Sequence, residues 1–164
     1  MLKKLFMLIV AGFFLASCAA TKTEEGGNVD AASTSASSSS GGEITAGTQE
    51  DLIVNVCDRV FFEFDSSELT VDAQATLDAQ AAWLMQYPDT NITVEGHADE
   101  RGTREYNLAL GDKRAFSVYS YLAQAGIDTN RMEYVSWGKE RPEVIGSDET
   151  AYSQNRRGVT IVSN

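Results

Sequence analysis

The sequence predicts an α+β fold, a two-layer sandwich in the order β-α-β-α-β-(short α)-β, with its helices packed on one four-stranded sheet. Two observations carry that prediction. Short β-branched and aromatic runs alternate along the chain with stretches whose apolar residues recur at helical spacing. The second of those short runs alternates apolar with polar residues, which leaves one sheet face relatively polar, as in a two-layer packing.

The elements follow in order. Val60-Phe61-Phe62-Glu63-Phe64 reads as a first strand ending at Asp65. Thr70 suits an N-cap, and Asp72 puts a negative charge in the first turn, where the helix dipole favours it. Ala73, Leu77, Ala81, Leu84 and Met85 then repeat at helical spacing until Tyr87-Pro88-Asp89 ends the helix. Ile92, Val94 and Gly96 alternate with Thr93, Glu95 and His97, giving a second strand. A polar loop at 99–104 leads into a second helix with a buried stripe of Leu108, Gly111, Ala115, Val118 and Leu122, terminated by Gly126. Residues 132–137 form a third strand and 158–162 a fourth, with a short helical piece at 150–156 between them.

These elements occupy residues 51–164, and 164 residues hold one ordinary domain. The start of the chain has another purpose. Lys3 and Lys4 precede an apolar run, Leu5 to Leu15, too short to span a bilayer comfortably and suited to a signal peptide over residues 1–17. Leu15-Ala16-Ser17-Cys18 resembles a bacterial lipobox, which implies cleavage before Cys18 and lipidation of that cysteine. Ala19 stands where inner-membrane retention usually uses Asp, so the resemblance points to the outer membrane. One acyl chain holds only marginally, at roughly 0.8 kcal/mol per buried methylene; several chains on one cysteine hold firmly.

Residues 18–50 form a linker. Its middle reads AASTSASSSSGG and has too little apolar surface to offset the entropy of ordering. About thirty flexible residues reach roughly 30 Å on average and about 100 Å when stretched. Cys18 and Cys57 are the two cysteines, so lipidation of the first excludes an internal disulfide. Cys57 is then expected to be a small, partly buried residue ahead of the first strand, with an intermolecular disulfide as the alternative.

The formal net charge of −11 argues against nucleic acid and anionic surfaces as partners. Residues 51–164 carry ten Lys or Arg against nineteen Asp or Glu, so any basic site must be local. The densest polar cluster runs from Gly96 to Ala115. Asp99 falls just past a strand end and Arg114 well inside the next helix, so one turn can bring them to opposite sides of a shallow pocket. A carboxylate facing a guanidinium across a gap suits a zwitterion: the acid takes an ammonium, the fork a carboxylate. Spacing alone favours the plainer alternative, an Asp99–Arg114 salt bridge with no ligand. His97, the sole histidine, has no second His or Cys at metal-ligand spacing and no paired nucleophile, and is expected to hydrogen-bond at the strand end. Glu95, Asp99 and Glu100 could be imagined as a hydrolase pair, but nothing in the sequence suggests a glycosidase cleft. Tyr119, Tyr121 and Trp137 are expected over the core edges. Arg156 and Arg157 read as structural or as neighbours of a partner surface.

The stretch GHADERGTREYNLALGDKRA resembles the signature of OmpA-like peptidoglycan-binding domains, and its DERGTREYN form resembles that of the peptidoglycan-associated lipoproteins. Phe62-Glu63-Phe64-Asp65-Ser66, Ser136-Trp137-Gly138-Lys139-Glu140-Arg141-Pro142 and Tyr152-Ser153-Gln154-Asn155-Arg156-Arg157 match in the same order, from about Asp58 to the chain's end. The resemblance implies an OmpA-like form of the sandwich with one mixed sheet. It implies binding of the diaminopimelate residue of the peptidoglycan stem peptide, with Asp99 taking the ammonium and Arg114 the carboxylate. Phe64, Asp65, Arg101, Asn107 and Leu110 match the pocket wall. It further implies the Tol-Pal system, with TolB as a partner competing with peptidoglycan, and a tether from outer membrane to cell wall that serves envelope integrity and cell division. No catalytic residue, metal or cofactor is implied. An enzyme acting on peptidoglycan is the rival reading, and it lacks a catalytic constellation. A porin would need barrel strands, and a flagellar stator a membrane-spanning helix, before the domain.

Overall fold

The structure, a computed structural model, describes residues 44–163. The predicted signal peptide, Cys18 and the serine-rich part of the linker lie outside the described residues. The described elements are α1 (Gln49–Asn55), β1 (Arg59–Phe61), α2 (Val71–Gln86), β2 (Ile92–His97), α3 (Arg104–Gln124), β3 (Met132–Gly138), α4 (Glu149–Asn155) and β4 (Arg157–Val162). A single 3-10 turn, Thr129–Arg131, precedes β3. None of the described helices is long and apolar enough to cross a membrane.

Local chemistry sets the helix starts. Thr48, Thr70, Thr103 and Asp148 each accept a hydrogen bond from the backbone N–H three residues on. That satisfies a donor which would otherwise lack a partner in the first turn. The strands form one mixed sheet in the order β1-β4-β2-β3, with β4 antiparallel to both β1 and β2 and β3 parallel to β2. The parallel pair is joined through α3, and the alternation in β2 decides which face that helix covers. Ile92 and Val94 are fully buried, while Thr93 and Glu95 are only half-buried on the other face. Leu77 and Leu84 from α2, and Ala115, Val118 and Leu122 from α3, pack on that inner face with Val60, Phe62 and Met132. Burying each large side chain of this kind contributes roughly 1.5–3 kcal/mol.

Several expectations need correction. A helix the sequence reading lacked, α1, precedes the first strand and drives Leu52 into the core. The first strand is three residues long and stops at Phe61, because the backbone of Glu63 and Ser66 turns away to meet Arg114. Asp65 in that turn has φ +53°, outside any strand. Met85 and Leu108 are about half exposed, so neither belongs to the buried stripes. Cys57 is exposed, not partly buried. It follows the end of α1 with φ +88°, and its N–H closes that helix on the Leu52 carbonyl at 2.9 Å.

One close approach fixes the depth of α3 on the sheet. A Cβ on Gly96 would overlap the backbone carbonyl of Gly111, and a Cβ on Gly111 would collide with Ser136 Oγ. Helix and strand therefore meet backbone to backbone, which sets the height at which Arg114, one turn further on, enters the domain. Gly96→Ala should force α3 outward and lower the unfolding free energy by about 2 kcal/mol or more, as overpacking does. An unchanged urea midpoint would contradict this approach.

Candidate functional site

Four segments converge at the C-terminal end of β2: the turn after β1, the loop at 98–103, the first three turns of α3, and α4. Arg114 sits where three of them meet and is fully buried. Its Nε donates to the Ser66 carbonyl at 2.8 Å, Nη1 to the His97 carbonyl at 2.8 Å and Nη2 to the Glu63 carbonyl at 3.2 Å. The Phe62 ring lies 5.3 Å below the guanidinium. A guanidinium has five N–H donors, so these bonds leave two uncommitted. Burial and the charge of Arg156 pull Arg114 down to about 10, against the nearby carboxylates of Asp99 and Asp65, and the group remains cationic at neutral pH.

Asp99 is nearly as buried, at 5 % exposure. Its Oδ1 accepts from the backbone N–H and Nε of Arg101, both at 3.1 Å, and its Oδ2 accepts from Arg101 Nη2 at 2.6 Å. Arg156 Nη1 stands 3.6 Å from the same Oδ2. Burial pushes the Asp99 carboxyl up, but the hydrogen bonds from Arg101 and the charges of Arg101 and Arg156 together outweigh it and hold the group below its ordinary value. Arg101 is itself sandwiched between the rings of Phe64 and Tyr152, at 4.3 and 4.2 Å.

All seven pocket residues picked from the sequence, Phe64, Asp65, Asp99, Arg101, Asn107, Leu110 and Arg114, line one cavity of about 190 Å³. Gly102 and Tyr106 complete its wall. Asp99 and Arg114 both border this space yet form no ion pair with each other among the described residues, so the plainer alternative, a salt bridge between them, is not what the chain builds. Asn107, also buried, steadies the loop by donating to the Arg101 carbonyl at 2.8 Å. Tyr106 donates its hydroxyl to Asp65.

A family model described as the OmpA family matches residues 61–156, which contain the whole cavity wall. The peptidoglycan-associated lipoprotein of Rhizobium meliloti (strain 1021) is 55% identical over 121 residues, covering 74% of this chain and 69% of that one. The chain belongs to the OmpA family, among the peptidoglycan-associated lipoproteins. A crystal structure of the peptidoglycan-associated lipoprotein from Burkholderia pseudomallei superposes with a TM-score of 0.63 at 43% identity, over 65% of this chain and 90% of that one. The C-terminal domain of Helicobacter pylori MotB, 23% identical, reaches a TM-score of 0.60 over 65% of this chain and 84% of that one, a likeness of fold. The OmpA-like sandwich anticipated from the sequence is therefore the fold this family member has.

The sequence reading missed contributors to the site. Tyr106 and Gly102 lie inside the quoted signature and were passed over there. Tyr152 and Arg156 belong to the matching stretch 152–157 and Glu149 precedes it, but nothing in residue order ties that stretch, some fifty residues on, to the loop. Arg156 is buried and donates through Nε to the Phe62 carbonyl at 3.0 Å, while its Nη1 lies 2.7 Å from Glu149 Oε1. It is structural, as one of the two readings had it, and it also borders Asp99.

His97 needs a correction. Its ring is buried, and among the described residues neither nitrogen has a hydrogen-bond partner; Nε2 lies 3.4 Å from a Glu95 oxygen. Among the described residues, no group of three or more His, Cys, Asp or Glu is placed to hold a metal ion. Burial, then the positive charge of Arg157, pushes the imidazole down to about 4 although Glu95 pulls the other way. An unfolded histidine titrates near 6.5. Below that pH the unfolded chain takes up a proton that the native state refuses, so stability is complete above about 6.5 and is lost as pH falls toward 4. Urea unfolding at pH 7 and pH 4.5 should differ by about 2 kcal/mol from this group. His97→Gln should remove most of that difference, and an equal loss in the variant would refute the assignment.

Proposed function

We propose that this chain is an outer-membrane lipoprotein whose domain binds the diaminopimelate residue of peptidoglycan stem peptides without covalent chemistry. In this reading Cys18 carries the lipid anchor, residues 18–50 are a flexible leash, and the protein tethers the outer membrane to the cell wall. As part of the Tol-Pal system, with TolB as the competing partner, it would serve envelope integrity and cell division. The name shared by its relatives supports association with peptidoglycan, and the observation that carries the ligand assignment is the pair of opposite, buried charges on one small cavity.

The residual hydrogen-bonding capacity supports it further. An ionised carboxylate offers about four acceptor positions. Arg101 fills two on Oδ1 and one on Oδ2 of Asp99, leaving Oδ2 an open position for an ammonium. Arg114 retains two N–H donors for a carboxylate. The diaminopimelate side chain ends in both groups on one carbon, so one end group answers both halves. Preorganisation favours the match, because both side chains are already desolvated and held by other bonds. Hydrolysis of peptidoglycan, the rival reading, would need an acid and a second carboxylate flanking the scissile bond. The carboxylates here are engaged otherwise: Asp99 by Arg101, and Asp65 by Tyr106.

The test is a titration of the full chain in mild detergent with a diaminopimelate-containing stem peptide and its lysine-containing counterpart. The lysine peptide keeps the ammonium and lacks the carboxylate, so it should bind at least about tenfold more weakly, as expected for loss of a charge-assisted pair. Equal affinities would remove Arg114 from the ligand. Asp99→Asn should weaken the diaminopimelate peptide by about 10- to 100-fold while preserving shape. Arg114→Ala would strip three backbone carbonyls of their donors, so Arg114→Lys is the better second variant: it keeps the charge and loses the fork.

The anchor is tested separately. Cys18→Ser should leave the membrane fraction and be recovered as soluble or unprocessed protein; a variant that still fractionates with outer membrane would sink the lipidation claim.

A further inference from the structure

A second concavity lies on the other side of α3, away from the peptide cavity. It measures about 580 Å³ and is lined by Glu105, Leu108, Ala109 and Asp112 of α3 and by Tyr134, Val135 and Ser136 of β3. Its floor and upper wall are apolar and open: Leu108 is 47 % exposed, Tyr134 41 % and the adjoining Phe116 51 %. Phe116, Tyr119 and Tyr134 form one aromatic cluster, with ring centroids 5.2 to 6.3 Å apart. Because β3 ends the sheet order β1-β4-β2-β3, its outward backbone groups have no strand partner among the described residues. An open edge beside an apolar helix face is the arrangement that accepts an added extended strand.

Charge identifies the occupant. Glu105 and Asp112 face this groove, neither has an ion-pair partner among the described residues, and no Lys or Arg lines it. They stand two helical turns apart, about 10.5 Å along α3. A second copy of this chain brings a net charge of −11 to that rim, and the chain before α1 sets Lys3, Lys4 and Lys22 against Glu24, Glu25, Asp30 and Glu43, so it carries no basic excess. An anionic lipid surface is repelled in the same way. We infer that the groove between α3 and the β3 edge docks a basic, extended segment of a partner protein. Every second residue of that segment turns toward α3, and this set mixes aliphatic residues, which cover Leu108, Tyr134 and Phe116, with Lys or Arg, which meet Glu105 and Asp112. Main-chain bonds to β3 supply affinity, and the two carboxylates select the sign of the partner.

The probe is a synthetic peptide with threonine at every second position and lysine and valine taking turns at the others, compared with the same peptide carrying glutamate for lysine, each titrated into the full chain in mild detergent. The lysine peptide should bind and the glutamate peptide should not. Glu105→Lys combined with Asp112→Lys should weaken the lysine peptide at least tenfold and confer binding of the glutamate peptide. The control reversal Asp72→Lys with Asp89→Lys, on and just beyond α2, should leave both unchanged. Equal losses in the two double variants would reduce the effect to net charge and overturn the proposal, as would failure of the lysine peptide to bind. A dimer in sedimentation that Phe116→Asp dissolves would assign the groove to a second copy and likewise overturn it.

Discussion

One buried guanidinium holds the site end of this domain together. Arg114 has no exposed surface, and it satisfies backbone carbonyls from two loop positions after β1 and from the last residue of β2. A buried charge survives only if its hydrogen-bonding capacity is filled, and here the fill comes from main chain rather than from a counter-ion. The turn at Glu63 to Ser66 is bent to serve it, which is why β1 stops at Phe61 and why Asp65 takes a left-handed conformation. Three of the five N–H groups of Arg114 are committed to main-chain carbonyls, and the residue still lines the cavity.

The acidic half of the cavity is built on the opposite principle. Asp99 is wrapped by cations, with Arg101 on it and Arg156 behind it. Those cations belong to separate segments, and each is tied elsewhere: Arg101 to Phe64 and Tyr152 by ring stacking, Arg156 to Glu149 and to the Phe62 carbonyl. The carboxylate is thus the node at which α4 and β4 report to the signature loop. Arg156 acts on both halves with opposite sign: its charge lowers the Arg114 guanidinium and supports the charge on Asp99.

Much of this was legible in residue order, for stated physical reasons. Strand and helix periods are local, so β2, α2 and α3 followed from side-chain alternation, and Thr70 as a cap followed from its neighbours. The pocket set was legible because a long signature resembles a family; spacing by itself pointed to a plain Asp99–Arg114 salt bridge. What stayed hidden is long-range. The burial of His97 without a hydrogen-bond partner depends on β4 and on the loop after β3, and the role of Arg156 depends on a chain reversal of about fifty residues. The helix α1 was hidden because only Leu52 of its short length is a buried apolar residue, too little to set a period. Leu108 and Met85 were misplaced because an apolar residue one position off the stripe looks the same in sequence as one on it.

The drift of residues around α3 explains how one helix serves three environments. Gly111, Ala115, Val118 and Leu122 face the sheet, and Gly111 lets the backbone come down onto β2. Asn107, Leu110 and Arg114 lean to one side and line the cavity beside Asp99. Leu108, Asp112 and Phe116, at four-residue steps, lean to the other side along the open β3 edge. The seam at Gly96 and Gly111 fixes the helix between these two flanks, which is why one helix can serve the cavity on one side and the sheet edge on the other.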